Sequence, residues 1–288
     1  RLQERRSRVR FMLPTPDGDW RAVTWGAYAA GIQDMGAFLV ASGLKSGDRA
    51  AIFAPNRVEW MTAALGIQAA GGAMVPIYPS STAEQAAYVI EHSDAKFVFV
   101  DTEALLERVL ERWDALVKVV RVILLDDALS AVKVSQRLRE RTGHAPSSAE
   151  LERKTISWSR MRQLGAGYEA EHKDAFRRAL NAVSLEQTAV MLYTSGTSGP
   201  PKGVPLSHRN LQTNNQDWLR VLAPLLEEEA VDLLWLPMSH IFGYGESCIG
   251  NMLGWTSYMV DPRSVIERFP EVRPNVFMSV PSYWEKLA

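Results

Sequence analysis

Twelve residues, Leu192-Tyr193-Thr194-Ser195-Gly196-Thr197-Ser198-Gly199-Pro200-Pro201-Lys202-Gly203, have the types and spacing of an anion site. Thr194, Ser195 and Thr197 place hydroxyl donors close together, and Ser198 adds another. Gly196 and Gly199 free backbone N–H groups to converge, and Lys202 supplies a point positive charge. Phosphate is the guest this chemistry suits. The spacing is not that of a Walker A loop, in which Gly-Lys precedes Ser or Thr, because Lys202 stands between Pro201 and Gly203. Nor is it a dinucleotide fingerprint: the glycines at 196, 199 and 203 miss that pattern, and Pro200-Pro201 bars a helix from starting at the second glycine. A second chemical candidate is His240, in Pro237-Met238-Ser239-His240. Tyr244 lies one helical turn further on, where an aromatic at helical spacing is by default core packing.

The elements around these residues read as follows. Ala189-Val-Met-Leu-Tyr193 is a short apolar run expected to form a strand buried on both faces of a parallel sheet. Ser207 suits the N-cap of a helix that Asn210-Leu211 begins, so the stretch is predicted as strand, phosphate loop, helix. Upstream, Thr24 caps a helix with Tyr28, Ile32, Met35 and Leu39 in register, closed at Ala41-Ser-Gly43. Strands at 49–54, 74–78, 96–100 and 119–125 then alternate with helices at 59–70, 83–93 and 103–116, an order that predicts right-handed βαβ units and a parallel sheet. Residues 130–186 are charged and loop-rich. Their basic residues are interleaved with Glu140, Glu150 and Glu152 and lack aromatic stacking partners, which favours a solvated helical insertion over a nucleic-acid contact. After the loop, a helix at 212–226, a strand at 231–236, a helical stretch to Gly254, a strand at 256–260, a helix near 264–269 and a strand at 275–280 are expected to build a second sheet. His240 then falls at the carboxyl end of a strand, where open α/β sheets bind ligands. The chain therefore divides into a βα region at 1–129, the insertion at 130–186 and a loop-bearing βα region at 187–288.

Bulk properties narrow the class. With 288 residues, 47% of them hydrophobic, and a formal net charge of -1, the chain can bury a substantial core and gives no electrostatic reason to expect nucleic acid. The single cysteine, Cys248, excludes an intramolecular disulfide and a Cys-rich metal site. His92, His144, His172 and His208 have no metal-ligand spacing, and His208 suits support of the turn before its helix. The basic start leads into no apolar h-region, and the apolar stretch 63–78 is broken by Gln68, Gly71-Gly72 and Pro76, so a soluble, cytoplasmic protein is expected, with peripheral membrane association left open. A start without Met and an end at Trp284-Glu-Lys-Leu-Ala288 suggest a fragment. No Gly-x-Ser-x-Gly hydrolase elbow occurs.

The loop closely resembles the phosphate-binding signature of the adenylate-forming (AMP-binding, acyl-CoA synthetase) superfamily, with Ser198 in place of a Thr. Other segments are similar to the same superfamily in the order it requires: Thr24-Trp25 with Tyr28, Leu44–Arg49, Asn56–Trp60, Ala69–Pro79, Glu91–Lys96, Leu236–Gly243 and Val280–Lys286. The likeness is greatest to long-chain fatty acid:CoA ligases, although Ser282 stands where that branch commonly has Arg. It is least distinct across the insertion. The resemblance implies the large N-terminal domain of such enzymes: an α/β fold with two parallel-rich sheets interleaved with helices in αβαβα layers, here incomplete and without the small C-terminal domain. It implies ATP, Mg2+ and coenzyme A as cofactors and co-substrates and a fatty acid as substrate. Thr194, Ser195, Gly196, Thr197, Ser198, Gly199 and Lys202 would cradle the β- and γ-phosphates. Lys202 and His240 would be catalytic, His240 would stand beside the α-phosphate and the reacting carboxylate, and Tyr244 would line the acyl site. The family's Mg2+-binding acid, adenine and ribose sites and catalytic C-terminal lysine have no match here, so the 288 residues alone are expected not to turn over. Alternatives are the adenylation domain of a carboxylic acid reductase, a fatty acyl-AMP ligase, or a non-catalytic nucleotide- or acyl-binding module; the oligomeric state is left open.

Overall fold

The computed structural model describes residues 2–194, 200–223 and 228–285. In chain order its first elements are α1 (Leu2–Arg5), β1 (Val9–Pro14), β2 (Trp20–Thr24), α2 (Trp25–Ala41), β3 (Arg49–Phe53), α3 (Val58–Ala69), β4 (Ala73–Ile77), α4 (Ala83–His92) and β5 (Ala95–Val100). There follow α5 (Glu103–Glu111), β6 (Arg121–Leu124), α6 (Ala131–Thr142), α7 (Ser148–Lys154), β7 (Thr155–Ser157), α8 (Trp158–Glu171) and α9 (Ala175–Ala182). The last are β8 (Thr188–Thr194), β9 (Lys202–Ser207), α10 (His208–Leu222), β10 (Val231–Leu234), α11 (Ile241–Leu253), β11 (Thr256–Met259), α12 (Val265–Val272) and α13 (Pro281–Trp284). The chain separates into two compact units, one of residues 31–55 and 59–209, the other of residues 1–30, 56–58 and 210–288.

The first unit is built on a seven-stranded sheet of order β7-β6-β5-β3-β4-β8-β9. Every neighbouring pair is parallel except β8 and β9, which run antiparallel. Its central strands read as continuous apolar runs because both faces are covered: Ala50 to Phe53 and Phe97 to Val100 are fully buried. Val89 and Ile90 of α4, Leu106 and Leu110 of α5, and Val134 and Leu138 of α6 pack in one apolar core with Phe53, Val75 and Val98. Thr82 closes a capping box with Gln85 at the start of α4. Within residues 130–186 the charged helices are amphipathic, so that Val134, Leu138 and Leu151 belong to the core while β7 extends the sheet edge.

The second unit holds a four-stranded sheet of order β10-β11-β1-β2, parallel except between β1 and β2. The sequence reading placed neither β1 nor β2, although they form a hairpin across Thr15–Asp19, with Leu13 opposite Arg21 and Pro14 opposite Trp20. The strand expected at 275–280 does not form; Val276 makes only an isolated bridge to Asp232, while Asn275 and Val276 both donate to the Val231 carbonyl, at 2.9 and 3.1 Å. The expected fold class stands, a mixed α/β chain with two mostly parallel sheets. Among the described residues no helix is long and apolar enough to cross a membrane.

Candidate functional site

The anion loop joins two strands. β8 and β9 pair antiparallel with Thr194 opposite Lys202 and Tyr193 opposite Gly203, so the order is strand, loop, strand, helix, and the helix begins at His208. Pro205 obscured β9 in the sequence; it is tolerated because β9 is the sheet edge. β8 is not buried along its whole length: Ala189 and Val190 are fully buried, whereas the strand emerges through half-buried Tyr193 to exposed Thr194. Ser195, Gly196, Thr197, Ser198 and Gly199 lie outside the described residues. Lys202 is exposed at the start of β9, and its ammonium makes no hydrogen bond or ion pair among the described residues.

The base of this hairpin is held by groups that sequence reasoning passed over. Tyr88 and His92, one turn apart on α4, stack with ring centroids 5.2 Å apart, and Tyr193 meets both rings edge-on. The Tyr88 hydroxyl donates to the Pro201 carbonyl at 3.0 Å, and His92 Nδ1 lies 2.8 Å from the Tyr193 hydroxyl. Burial pushes the Tyr193 phenol up to about 12, so it stays protonated at any working pH. The i, i+4 spacing of Tyr88 and His92 was the available signal. Gly203 lets β9 pass closely over β8, since a Cβ there would stand 3.3 Å from both Met191 Sδ and Tyr193 Cζ.

In the other unit, His240 is the N-cap of α11. Its Nδ1 accepts from the Phe242 N–H at 3.2 Å, which leaves Nδ1 unprotonated and the proton on Nε2, an N–H donor on an exposed side chain. The turn that delivers it is fixed by Asn56: its amide donates to the Leu236 carbonyl and accepts from the Met238 N–H, each at 2.8 Å. Gly243 completes the geometry, because a Cβ there would sit 2.4 Å from the Pro237 carbonyl oxygen and 2.7 Å from that of Leu236. The Leu-Pro-x-x-His-x-x-Gly spacing thus specifies a turn folded tightly onto the first turn of a helix.

Tyr244 is 2% exposed and sits in the core, its hydroxyl bonded to the Cys248 thiol. It is not among the residues lining the groove beside it. That groove, about 250 Å3, runs between α10 and α11. Trp218, Phe242, Ile249 and Met278 give it an apolar lining, and Asn214 and Asn215 add amides. Trp218 and Phe242 lie with ring centroids 5.6 Å apart. Glu246 is also in its wall, on the helix face of Phe242 and Ile249.

α11 also packs against a buried charge cluster. Arg10, fully buried on β1, donates to Asn251 Oδ1 (2.8 Å), Ser257 Oγ (2.5 Å) and the Ser247 carbonyl (3.2 Å), and its guanidinium lies 4.2 Å from the Phe11 ring centroid. Burial raises Asp232 to about 6 despite the opposing pull of Arg10. Burial, reinforced by the Asp232 charge, raises Glu246 well above the ordinary carboxylate range. Among the described residues no group of three His, Cys, Asp or Glu side chains is arranged to hold a metal ion.

This fold, two mostly parallel sheets with a Ser/Thr/Gly-rich loop leaving one of them, is that of the large domain of adenylate-forming enzymes. It superposes on the o-succinylbenzoate coenzyme A synthetase MenE of Bacillus subtilis, solved with AMP, with a TM-score of 0.62 at 18% identity, covering 99% of this chain and 62% of that one. The AMP-binding enzyme family model matches residues 2–288, and the chain belongs to that family. It is 28% identical over 275 residues to the long-chain-fatty-acid–CoA ligase FadD15 of Mycobacterium bovis, covering 94% of this chain and 41% of the relative. It is 28% identical over 279 residues to the long-chain-fatty-acid–CoA ligase ACSBG2 of Mus musculus, covering 93% of this chain and 38% of the relative. The chain thus spans about two fifths of the length of these curated relatives.

Proposed function

We propose that the full-length protein activates a long-chain fatty acid with ATP, forming an acyl-adenylate and pyrophosphate, and then passes the acyl group to the thiol of coenzyme A with release of AMP. The carrying observation is the anion loop set in the β8–β9 hairpin of an AMP-binding family chain, with the Lys202 ammonium exposed and uncommitted among the described residues. In the first step a carboxylate oxygen attacks the α-phosphate and pyrophosphate leaves, which brings two anions together. Preorganised donors must therefore do most of the catalytic work. The hydroxyls and N–H groups of 194–199 would hold the β- and γ-phosphates, with Lys202 neutralising their charge. The Nε2–H of His240, fixed by its cap bond, suits donation to an oxygen of the reacting carboxylate or α-phosphate. The groove between α10 and α11, lined by Trp218, Phe242 and Ile249, suits the apolar tail of the acid. The names of the relatives support a long-chain acid as that substrate.

The test is fatty-acid-dependent ATP–pyrophosphate exchange by the full-length protein and its Lys202→Ala variant. Loss of one such donor is expected to slow adenylation about a hundredfold, corresponding to ~3 kcal/mol of transition-state stabilisation. An unchanged exchange rate removes Lys202 from the reaction, and inertness towards every fatty acid overturns the ligase reading.

A further inference from the structure

We infer that Tyr88 is a positioning residue for the adenylation chemistry: its hydroxyl, through the Pro201 carbonyl, fixes the peptide plane from which Lys202 projects toward the phosphates of ATP. The inference rests on the phosphate-binding role proposed above for Lys202 and names the group that holds that lysine in place.

Lys202 has no side-chain anchor among the described residues. It is exposed, and a flexible lysine delivers its charge only as accurately as its backbone is placed. That backbone starts β9, the edge of the seven-stranded sheet, so a neighbouring strand holds it from one side only. The two residues before it, Pro200 and Pro201, have no N–H to donate, and a carbonyl oxygen is what they can offer a partner. The Tyr88 hydroxyl donates to that of Pro201 at 3.0 Å. The Pro201 carbonyl and the Lys202 N–H and Cα belong to one planar peptide unit, so a bond to the first orients the last.

The donor is itself held on a rigid element. α4 opens on a capping box and buries Val89 and Ile90 in the core against which Tyr88 packs. Tyr88 stacks on His92, and Tyr193 closes edge-on over both rings. One turn of α4 therefore reaches both strands of the hairpin: His92 Nδ1 lies 2.8 Å from the Tyr193 hydroxyl, and Tyr88 bonds Pro201. Tyr193 directly precedes Thr194 and Pro201 directly precedes Lys202, and Thr194 and Lys202 are the opposed pair at the loop end of the ladder. A phenylalanine at 88 would supply the stacking and the burial equally well. What the hydroxyl adds is the bond to Pro201, and with it the placement of Lys202.

The experiment is a double-mutant cycle in the full-length protein: wild type, Tyr88→Phe, Lys202→Ala and the two together. Binding of inorganic pyrophosphate and of ATP is measured by calorimetry, and kcat and the KM values for ATP and hexadecanoic acid by ATP–pyrophosphate exchange. Tyr88→Phe is expected to weaken pyrophosphate and ATP binding and to lower kcat/KM for ATP about tenfold, the effect of one lost hydrogen bond, while KM for the acid stays within about twofold. In the Lys202→Ala background the same substitution is expected to change none of these, because the side chain that Tyr88 places is gone. Binding unaffected by Tyr88→Phe overturns the inference. So does a tenfold loss that persists without the Lys202 side chain, since that marks a general loosening of the hairpin. A Lys202→Ala variant that binds pyrophosphate as the wild type does overturns it as well. If no acid supports exchange, the ligase reading fails on its own, and the pyrophosphate-binding cycle still decides the role of Tyr88.

Discussion

In the proposed function His240 does two jobs with one ring. Nδ1 closes the first turn of α11 by accepting from Phe242, which in turn dictates that Nε2 carries the proton. Substitution separates the two. His240→Asn keeps a good capping side chain and is expected to leave stability within a few tenths of a kcal/mol, whereas His240→Ala loses about 1 kcal/mol in urea unfolding. Both are expected to lose acid-dependent pyrophosphate exchange to a similar degree; an active Asn variant would reduce the imidazole to a cap. Asn56 acts one step back. Asn56→Ala strands the Leu236 carbonyl and the Met238 N–H that its amide now satisfies, and is expected to cost roughly 1–3 kcal/mol in urea unfolding. Of these residues, His240 and Lys202 were visible in the sequence because each stands in a short motif. Asn56 was visible only as part of a likeness and not in its role, because its partners lie 180 and 182 residues away. Tyr88 and His92 were hidden for the same reason, and Glu246 because a lone acid inside an apolar helix gives no hint of which face it occupies.

At the scale of elements, close approach of backbones explains what composition left ambiguous. The His-Ile-Phe-Gly spacing works only if α11 lies against the carbonyls of Leu236 and Pro237. Gly243→Ala, with its Cβ driven to 2.4 Å from the Pro237 oxygen, is expected to destabilise by roughly 3 kcal/mol and to displace His240. Thermal unfolding alongside exchange activity checks both parts. Tyr88→Phe removes the 3.0 Å bond to the Pro201 carbonyl, and faster hydrogen exchange at amides of β9 is expected while α5 and α6 are unaffected. The alternating βα order of residues 49–125 was legible because those strands are apolar runs buried on both faces and their helices carry caps. β1, β2 and β9 were not, since each is half-exposed or on an edge and mixes Arg, Pro and Gly with apolar residues. The segment 275–280 has strand composition without a strand's pairing. Val276 alone bridges to β10, which composition cannot reveal.

For the molecule as a whole, the buried trio of Arg10, Asp232 and Glu246 ties stability to pH. Both carboxyls hold their protons more tightly when folded than when unfolded, so the folded state binds more protons and stability falls as pH rises. For Asp232 the loss runs from its ordinary value of 3.8 through about 6 and amounts to on the order of 3 kcal/mol by pH 8. For Glu246 it begins above 4.5 and extends to higher pH. Urea midpoints are therefore expected to be higher at pH 5 than at pH 8, and Glu246→Gln should raise the midpoint at pH 8 and flatten the dependence. A dependence of the opposite sign would remove these carboxyls as its source. The place of β1 has a consequence of another kind. It pairs with β2 only a few residues on, but its other edge is closed by β11, Phe11 against Ser257 and Met12 against Tyr258, and Arg10 finds Asn251 and Ser257 there as well. On the ribosome, the β1–β2 hairpin emerges with that edge unpaired by β11 and the guanidinium unhoused, and both wait until about 240 further residues have been translated. During that interval the nascent chain presents an open strand to any neighbour able to add one, so codon-level slowing before β11 should lengthen its dependence on a chaperone in a way that slowing after β11 does not.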